Sequence, residues 1–389
     1  MPDNSLLGNF KETEIGPIPV DWDVVPFEQT VLKKRVKVGK VKKQDYRSVG
    51  RFPVVDQGRQ FIAGYWDDLT EVYTGDLPVI VFGDHTRIFK FVDFPFVVGA
   101  DGVKVLLANT DFYDPDFLYF AFTNLKIPSK GYNRHFKLLK EQVMPLPPLP
   151  EQRRIAHVLS TIQRDIAAQD DLIAAARGVK RSLMQRLFTY GPGPEPAPTK
   201  ETEIGPVPEH WTTEPLIEIA TLQRGKDLSK LKRVDGPYPV VGSNGIVGYH
   251  NEYVAKGPGV LVGRSGSVGR LTYVETPYWP LNTSLWVKDF HGNDPLFVYH
   301  LLHRLDFSRY SAGVSVPTLN RNLVHPVVLA VPDLSEQQQI AGILLAADRK
   351  IAAEEQRKAA LQALFKAMLH QLMTGQIRVG ARHSPQMPL

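Results

Sequence analysis

The chain has 389 residues, 43% hydrophobic and 22% charged, which is the balance of a folded globular protein of two or three domains and excludes a disordered or low-complexity chain. It contains no cysteine, so disulfide frameworks, thiolate nucleophiles and cysteine-ligated zinc are excluded, and a reducing compartment is expected. No run approaches the roughly 18 apolar residues of a membrane span and Met1-Pro-Asp-Asn-Ser5 leads into no apolar segment, so a cytoplasmic protein is expected, while the net charge of +5 directs attention to polyanionic partners.

Taken in chain order, the first patterned segment is Lys11-Glu-Thr-Glu-Ile-Gly-Pro-Ile-Pro-Val-Asp-Trp22. A strongly basic stretch follows: Lys33, Lys34, Arg35, Lys37, Lys40, Lys42, Lys43, Arg47 and Arg51 stand against the single acid Asp45. Pro53-Val-Val55, Ile62-Ala-Gly-Tyr65 and Leu77–Phe82 read as short strands, the last closed by the polar loop Gly83-Asp-His-Thr-Arg87. Asp114-Pro115 has the form of an N-cap followed by proline at the first helical position, opening a helix through Tyr119. A second basic stretch, Lys126, Lys130, Arg134, Lys137 and Lys140, is interleaved with Tyr132, Asn133, His135 and Phe136. From residue 151 to 190 there is no proline, and Ile155, Leu159, Ile162, Ile166, Ile173, Val179, Leu183 and Leu187 recur mostly at helical spacing. Gly191-Pro-Gly-Pro-Glu-Pro-Ala-Pro-Thr199 then reads as an extended, semi-rigid spacer.

Beyond that spacer the pattern begins again. Lys200–Trp211 repeats Lys11–Trp22 with nine of twelve positions identical. Pro239-Val-Val241, Ile246-Val-Gly-Tyr249, Asp294-Pro295 and Glu336-Gln337 return in the same order as their first-copy counterparts. The chain is a tandem duplication of one unit of about 190 residues. Tyr238–His250 reads as a hairpin with Asn244-Gly245 suited to positive φ. The second long helix carries Ile340, Leu344, Ala347, Ile351, Leu361, Leu364, Met368 and Leu372. The expected organisation is a globular domain over 1–147, a helix over 148–190, a linker over 191–199, a second globular domain over 200–331, a helix over 332–376 and a tail over 377–389. The fold class is α+β: each copy is a globular α/β domain followed by a long helix. Helices of about 55–60 Å at 1.5 Å per residue are too long to stand alone, so the two are expected to pack as an antiparallel coiled coil.

Catalytic motifs do not emerge. No G-x-x-x-x-G-K-[ST] loop is present, nor the Asn-Pro-Pro-aromatic or Asp-Pro-Pro-Tyr tetrapeptides of amino-methylating DNA methyltransferases. Gly263–Gly269 is glycine-rich without nucleotide-cradle spacing, and His300-Leu-Leu-His303 lacks a clear third metal ligand. Asp348-Arg-Lys350 lies within the long helical pattern and reads as a solvated face. No catalytic and no metal residue is expected. Basic clusters in both copies, including Arg224, Lys226, Lys230, Lys232 and Arg233 in the second, suit phosphate neutralisation, and neighbouring Asn, His and Arg can reach base edges. Shared segments suit a scaffold; the loops that differ between copies suit readout.

The boundary Leu146-Pro-Pro-Leu-Pro-Glu-Gln-Arg-Arg-Ile-Ala156, echoed by Val331–Ala341, together with the Glu-Ile-Gly-x-x-Pro-x-x-Trp segments at Glu14–Trp22 and Glu203–Trp211, closely resembles the specificity (S) subunits of type I restriction–modification systems. The resemblance implies two target-recognition domains held apart by antiparallel helices, each reading one half of a split DNA site. It implies docking of two methyltransferase (M) and two restriction (R) subunits, which use S-adenosylmethionine, ATP and Mg²⁺, while this chain binds double-stranded DNA and holds no cofactor. The alternatives are a stand-alone DNA-acting enzyme and a coiled-coil scaffold that does not bind DNA. Lys33, Lys34, Arg35, Lys37, Lys130, Tyr132 and Asn133 are expected DNA contacts in the first copy, with Asp84, His85, Arg87 and Arg134 as its readers. In the second copy Arg224 and Lys226 are expected contacts, with Arg264, Ser267, Asn320 and Arg321 as readers. Val158, Met184, Ile343, Phe365 and Leu369 lie off the main helical stripes and are expected to bind M subunits. The target is expected to be asymmetric, with half-site centres about 10–10.5 base pairs apart.

Overall fold

The computed structural model describes residues 10–33, 39–129, 131, 133–312 and 317–379. It forms two compact units, one of Met1–Asp170 with Gln356–Leu389 and one of Asp171–Glu355. These units differ from the expected domain boundaries in one respect: each takes a segment of both long helices.

The first unit holds helices α1 (Phe27–Thr30), α2 (Pro115–Asn124) and α3 (Phe136–Lys140), and the first half of α4 (Leu149–Tyr190). A three-stranded antiparallel sheet centres on Val79–Gly83, buried at every position and flanked by Val103–Leu106 and Phe89–Val92. A mixed sheet places Val97–Gly99 between Lys40–Val41 and Phe52–Val55. The second unit holds α5 (Leu216–Ile219), α6 (Pro295–Leu302), α7 (Arg321–Val324) and the first half of α8 (Leu334–Met373). Its equivalent buried strand, Gly259–Gly263, lies between Leu271–Val274 and Ser284–Asp289.

The duplication is preserved to the level of strand register. Pro53 pairs with Tyr65 and Pro239 with Tyr249, both antiparallel, while Val55 and Val241 each face a parallel strand, at Val98 and Pro280. The expected caps form as well: Asp114 accepts from the Phe117 amide and Asp294 from the Phe297 amide. The hairpin at 238–250 forms, with Gly245 rather than Asn244 taking the positive φ, at 93°.

In each unit the repeated Glu-Gln pair at the helix start welds the helix to the domain. In the first, Glu151 accepts from the indole of fully buried Trp22 at 3.1 Å. Gln152 accepts from the Asp114 amide and donates to the Phe112 and Pro147 carbonyls. Arg378, after the end of α8, forks onto Glu151 and Asp21 and lies 5.7 Å from the Trp22 ring. Its hydrogen bond holds the Asp21 carboxyl below the usual range. In the second unit Glu336 accepts from the Trp211 indole, His210 stands where Asp21 stands, and Gln337 accepts from the Asp294 amide.

Within each unit the helix segments run antiparallel. Asp170 pairs with Lys358 in the first, while Arg177 pairs with Glu355 and Lys180 with Asp348 in the second. Ile155, Leu159, Leu187, Ile340, Leu344 and Leu372 are fully buried, as their spacing requires. Val179 and Leu364, expected on the same stripes, face solvent at 58% and 46% exposure.

A buried polar cluster distinguishes the two units. Phe120 of α2 packs on Phe365 of α8 in the first unit, ring centroids 6.1 Å apart. The corresponding residues of the second unit are His300 and Lys180. His300 is fully buried, with Tyr299 and His303 on its own helix, Lys180 on α4 and Asp348 on α8 around it. Burial, then the charges of Lys180 and His303, pushes its imidazole down to about 3. The folded state therefore refuses a proton that the unfolded chain accepts below about pH 6.5. Stability of the second unit is expected to fall by up to about 1.4 kcal/mol per pH unit from there toward pH 3 through this group. Urea titrations at pH 8 and pH 5 measure it, and His300→Phe should remove this part of the slope; an unchanged slope would contradict the assignment.

Candidate nucleic-acid interface

Side chains from four segments of the second unit converge on one cleft of about 440 Å³. Arg224 ends the strand Thr221–Arg224, Arg264 follows the buried strand Gly259–Gly263, and Asn320 and Arg321 open α7. Leu285 and Leu319 also line it, and among the described lining residues there is no carboxylate. Four of the six residues expected to mark this half, Arg224, Arg264, Asn320 and Arg321, are thus brought together, while Lys226 and Ser267 do not line the cleft. Asn320 caps α7 by accepting from the Asn322 amide, which fixes the end of the cleft. Arg264 is half-buried; desolvation, then the nearby Arg224 charge, lowers its pKa. A cluster of guanidinium groups in one cleft favours an acceptor-rich, anionic ligand.

Ser267 sits in a loop too tight to open freely. The Gly269 amide returns to the Gly263 carbonyl at 2.9 Å, and a Cβ on Gly263 would fall 1.9 Å from the Ser267 carbonyl. Lys226, at the side of this region, is exposed.

The first unit builds the same corner from different chemistry. Asp84 occupies the place of Arg264, but it is only 2% exposed. Its carboxylate accepts from the amides of His135 and Phe136, at 2.8 and 2.7 Å, and so fixes the start of α3. This corrects the expectation that Asp84 offers its side chain to a base: the carboxylate is engaged by the backbone. Arg87 is likewise tied down. It takes positive φ, at 63°, and donates to the Ile127 carbonyl at 2.9 Å. His85 is half-buried, with its amide held by Gln57. Lys33, Asn133 and Arg134 are exposed. Lys34, Arg35, Lys37, Lys130 and Tyr132 lie outside the described residues. Sequence reasoning missed Lys104, which joins Lys40 and Phe136 in a cleft of about 220 Å³ and lies 5.3 Å from the Phe136 ring. Its lysine sits alone in an alternating strand, so nothing in composition marks it.

Four of the five expected partner-binding residues pack against the units' own cores rather than on a free face. Val158, Phe365 and Leu369 pack into the core of the first unit, and Met184 packs against that of the second. The cause is that each helix has a second apolar face, which its own unit's domain covers. Ile343 alone of the five is exposed, at 36%, in the company of Leu172, Val179 and Leu364 on the same two helices.

Among the described residues no helix is long and apolar enough to cross a membrane. The family model for the type I restriction modification DNA specificity domain matches twice, at residues 19–175 and 208–363. The type I restriction enzyme MjaVIII specificity subunit of Methanocaldococcus jannaschii is 24% identical over 95% of this chain and 96% of its own. The EcoR124I/EcoR124II specificity subunit of Escherichia coli is 28% identical over 26% of this chain and 25% of its own. Among solved structures, the S subunit of a type I restriction-modification system from M. genitalium superposes with a TM-score of 0.64 at 18% identity, covering 90% of this chain and 96% of that one. With central strands and caps repeated in register, two differing polar corners and a family match over each repeat, the chain belongs to the type I restriction–modification specificity subunits and carries two target-recognition domains.

Proposed function

We propose that this chain is the non-catalytic subunit that selects DNA for a type I complex, binding a split, asymmetric site with one unit on each half. The observation that carries the reading is the pair of equivalent corners, guanidinium-lined around Arg264 and Arg321 in one unit and lysine- and aromatic-lined around Lys104 and Phe136 in the other. One scaffold with two polar chemistries suits two different base strings on one duplex, with half-site centres about one helical turn apart. In this reading two M and two R subunits supply the chemistry, using S-adenosylmethionine, ATP and Mg²⁺, and the chain alone turns over nothing.

Exchange of residues 200–331 for another recognition domain should change one half of the methylated site and leave the other intact. Genome-wide mapping of methylated positions reads the result. If both halves change together, two-reader recognition is wrong. The purified chain with DNA, Mg²⁺ and S-adenosylmethionine should give no product, and affinity of the assembled complex should fall with salt. For M docking the apolar residues left open on the helices are the better candidates: Val179→Glu should abolish co-purification with the M subunit while leaving the thermal transition within about 0.5 kcal/mol of the parent. Retained co-purification would remove Val179 from the interface.

A further inference from the structure

The cleft of the second unit is lined by three guanidinium groups that differ in exposure. Arg264 is held from both sides through its backbone: its amide donates to the Thr283 carbonyl and its carbonyl accepts from the Leu319 amide, each at 2.8 Å. Its guanidinium makes one long contact, 3.4 Å to the Asn282 carbonyl, so most of its five N–H donors are left for a ligand. Arg224 and Arg321 are exposed at the rim, whereas Arg264 is recessed beside Leu285 and Leu319. Rim guanidiniums are placed for phosphates; a recessed one meets what enters the cleft.

Bases differ in what they present there. The major-groove edge of guanine offers two acceptors, N7 and O6, matched to the fork of a guanidinium. Cytosine offers an N4 donor, which a donor-only group repels; adenine pairs one acceptor with one donor; thymine offers one acceptor beside a methyl group. Among the described lining residues there is no carboxylate to accept from cytosine, and the Asn320 amide oxygen is already taken by the Asn322 backbone amide; Asn322 is left as an acceptor beside the guanidiniums.

We propose that Arg264 reads a guanine in the half-site taken by the second unit. The inference rests on the DNA-selecting reading above and adds the base and the residue. The test uses the full chain assembled with its methyltransferase partner, first to map the wild-type site and then to measure methylation of duplexes with every base at each position. The half that changes on exchange of residues 200–331 should contain a G·C pair. Arg264→Ala should lower discrimination at that pair about 10- to 100-fold and leave the other half unchanged. Arg264→Lys keeps the charge and can still donate to O6 and N7, so it should retain part of the preference that Arg264→Ala loses. Arg264→Gln should shift the preference toward adenine, whose N6 and N7 suit an amide. With the wild-type complex, 7-deazaguanine at that position should weaken methylation comparably, which keeps the test independent of any variant's folding. The proposal is overturned if the half lacks guanine, if Arg264→Ala weakens all positions equally as a phosphate contact would, or if the deaza base is tolerated. A wild-type complex whose methylation ignores sequence would overturn the broader reading along with it.

Discussion

Alanine in place of Trp22 or Trp211 is expected to cost the unit that carries it about 3–5 kcal/mol, the range for emptying a large buried aromatic site. Both indoles are essentially without solvent exposure, and each donates to the carboxylate that begins a long helix. Their loss removes core volume and also leaves a carboxylate, buried at Glu151 and half-buried at Glu336, short of a donor. Trp22→Phe keeps most of the ring and loses the N–H, so its cost should be nearer 1–3 kcal/mol. Urea denaturation, read by a probe placed in the affected unit, separates the two variants. A cost below about 1 kcal/mol for either alanine variant would mean that the junction does not hold the domain to its helix.

Truncation after Glu355 is expected to unfold the first unit and spare the second. The removed segment supplies Leu369, Leu372 and Met373 to the first core, and Arg378 to Asp21 and Glu151. Three such side chains, at about 1.5–3 kcal/mol each, amount to a large part of the 5–15 kcal/mol that holds a domain together. The second unit is complete at residue 355. Hydrogen exchange should show protection collapsing over residues 10–170 and persisting over 171–355. Equal loss in both would mean that the units do not fold separately, and full protection in the first would mean that the segment is dispensable.

The scaffold was legible because duplication repeats its constraints. Asp114-Pro115 and Asp294-Pro295 predict capped helices, and both cap. The identical Trp and Glu-Gln segments marked a junction, although only the structure shows the indole–carboxylate bond behind them. The sites were less legible. Polarity in a loop does not say whether a side chain faces a ligand or the backbone: Asp84 caps α3, whereas Arg264, at the same place, faces a cleft. Apolar residues on a helix do not say what covers them, which is why Leu369 and Met184 belong to the units' own cores and Val179 to the surface. His300 stood out only as half of a histidine pair without a third metal ligand, because a histidine among leucines carries no sign of the Lys180 and Asp348 that surround it.

Each unit is finished by a helix segment that the other copy encodes, the first by residues 356–389 and the second by residues 171–190. A chain of one repeat would therefore be unfinished alone, its helix lacking an antiparallel mate and its core open along one side. A second identical chain would close both. A single-repeat chain would therefore be expected to pair as a homodimer with two identical corners. Joined in one chain through Gly191–Thr199, the two corners are free of that symmetry, since a substitution in one is not copied into the other. Asp84, turned to the backbone, and Arg264, turned to a cleft, occupy the same corner of the two copies.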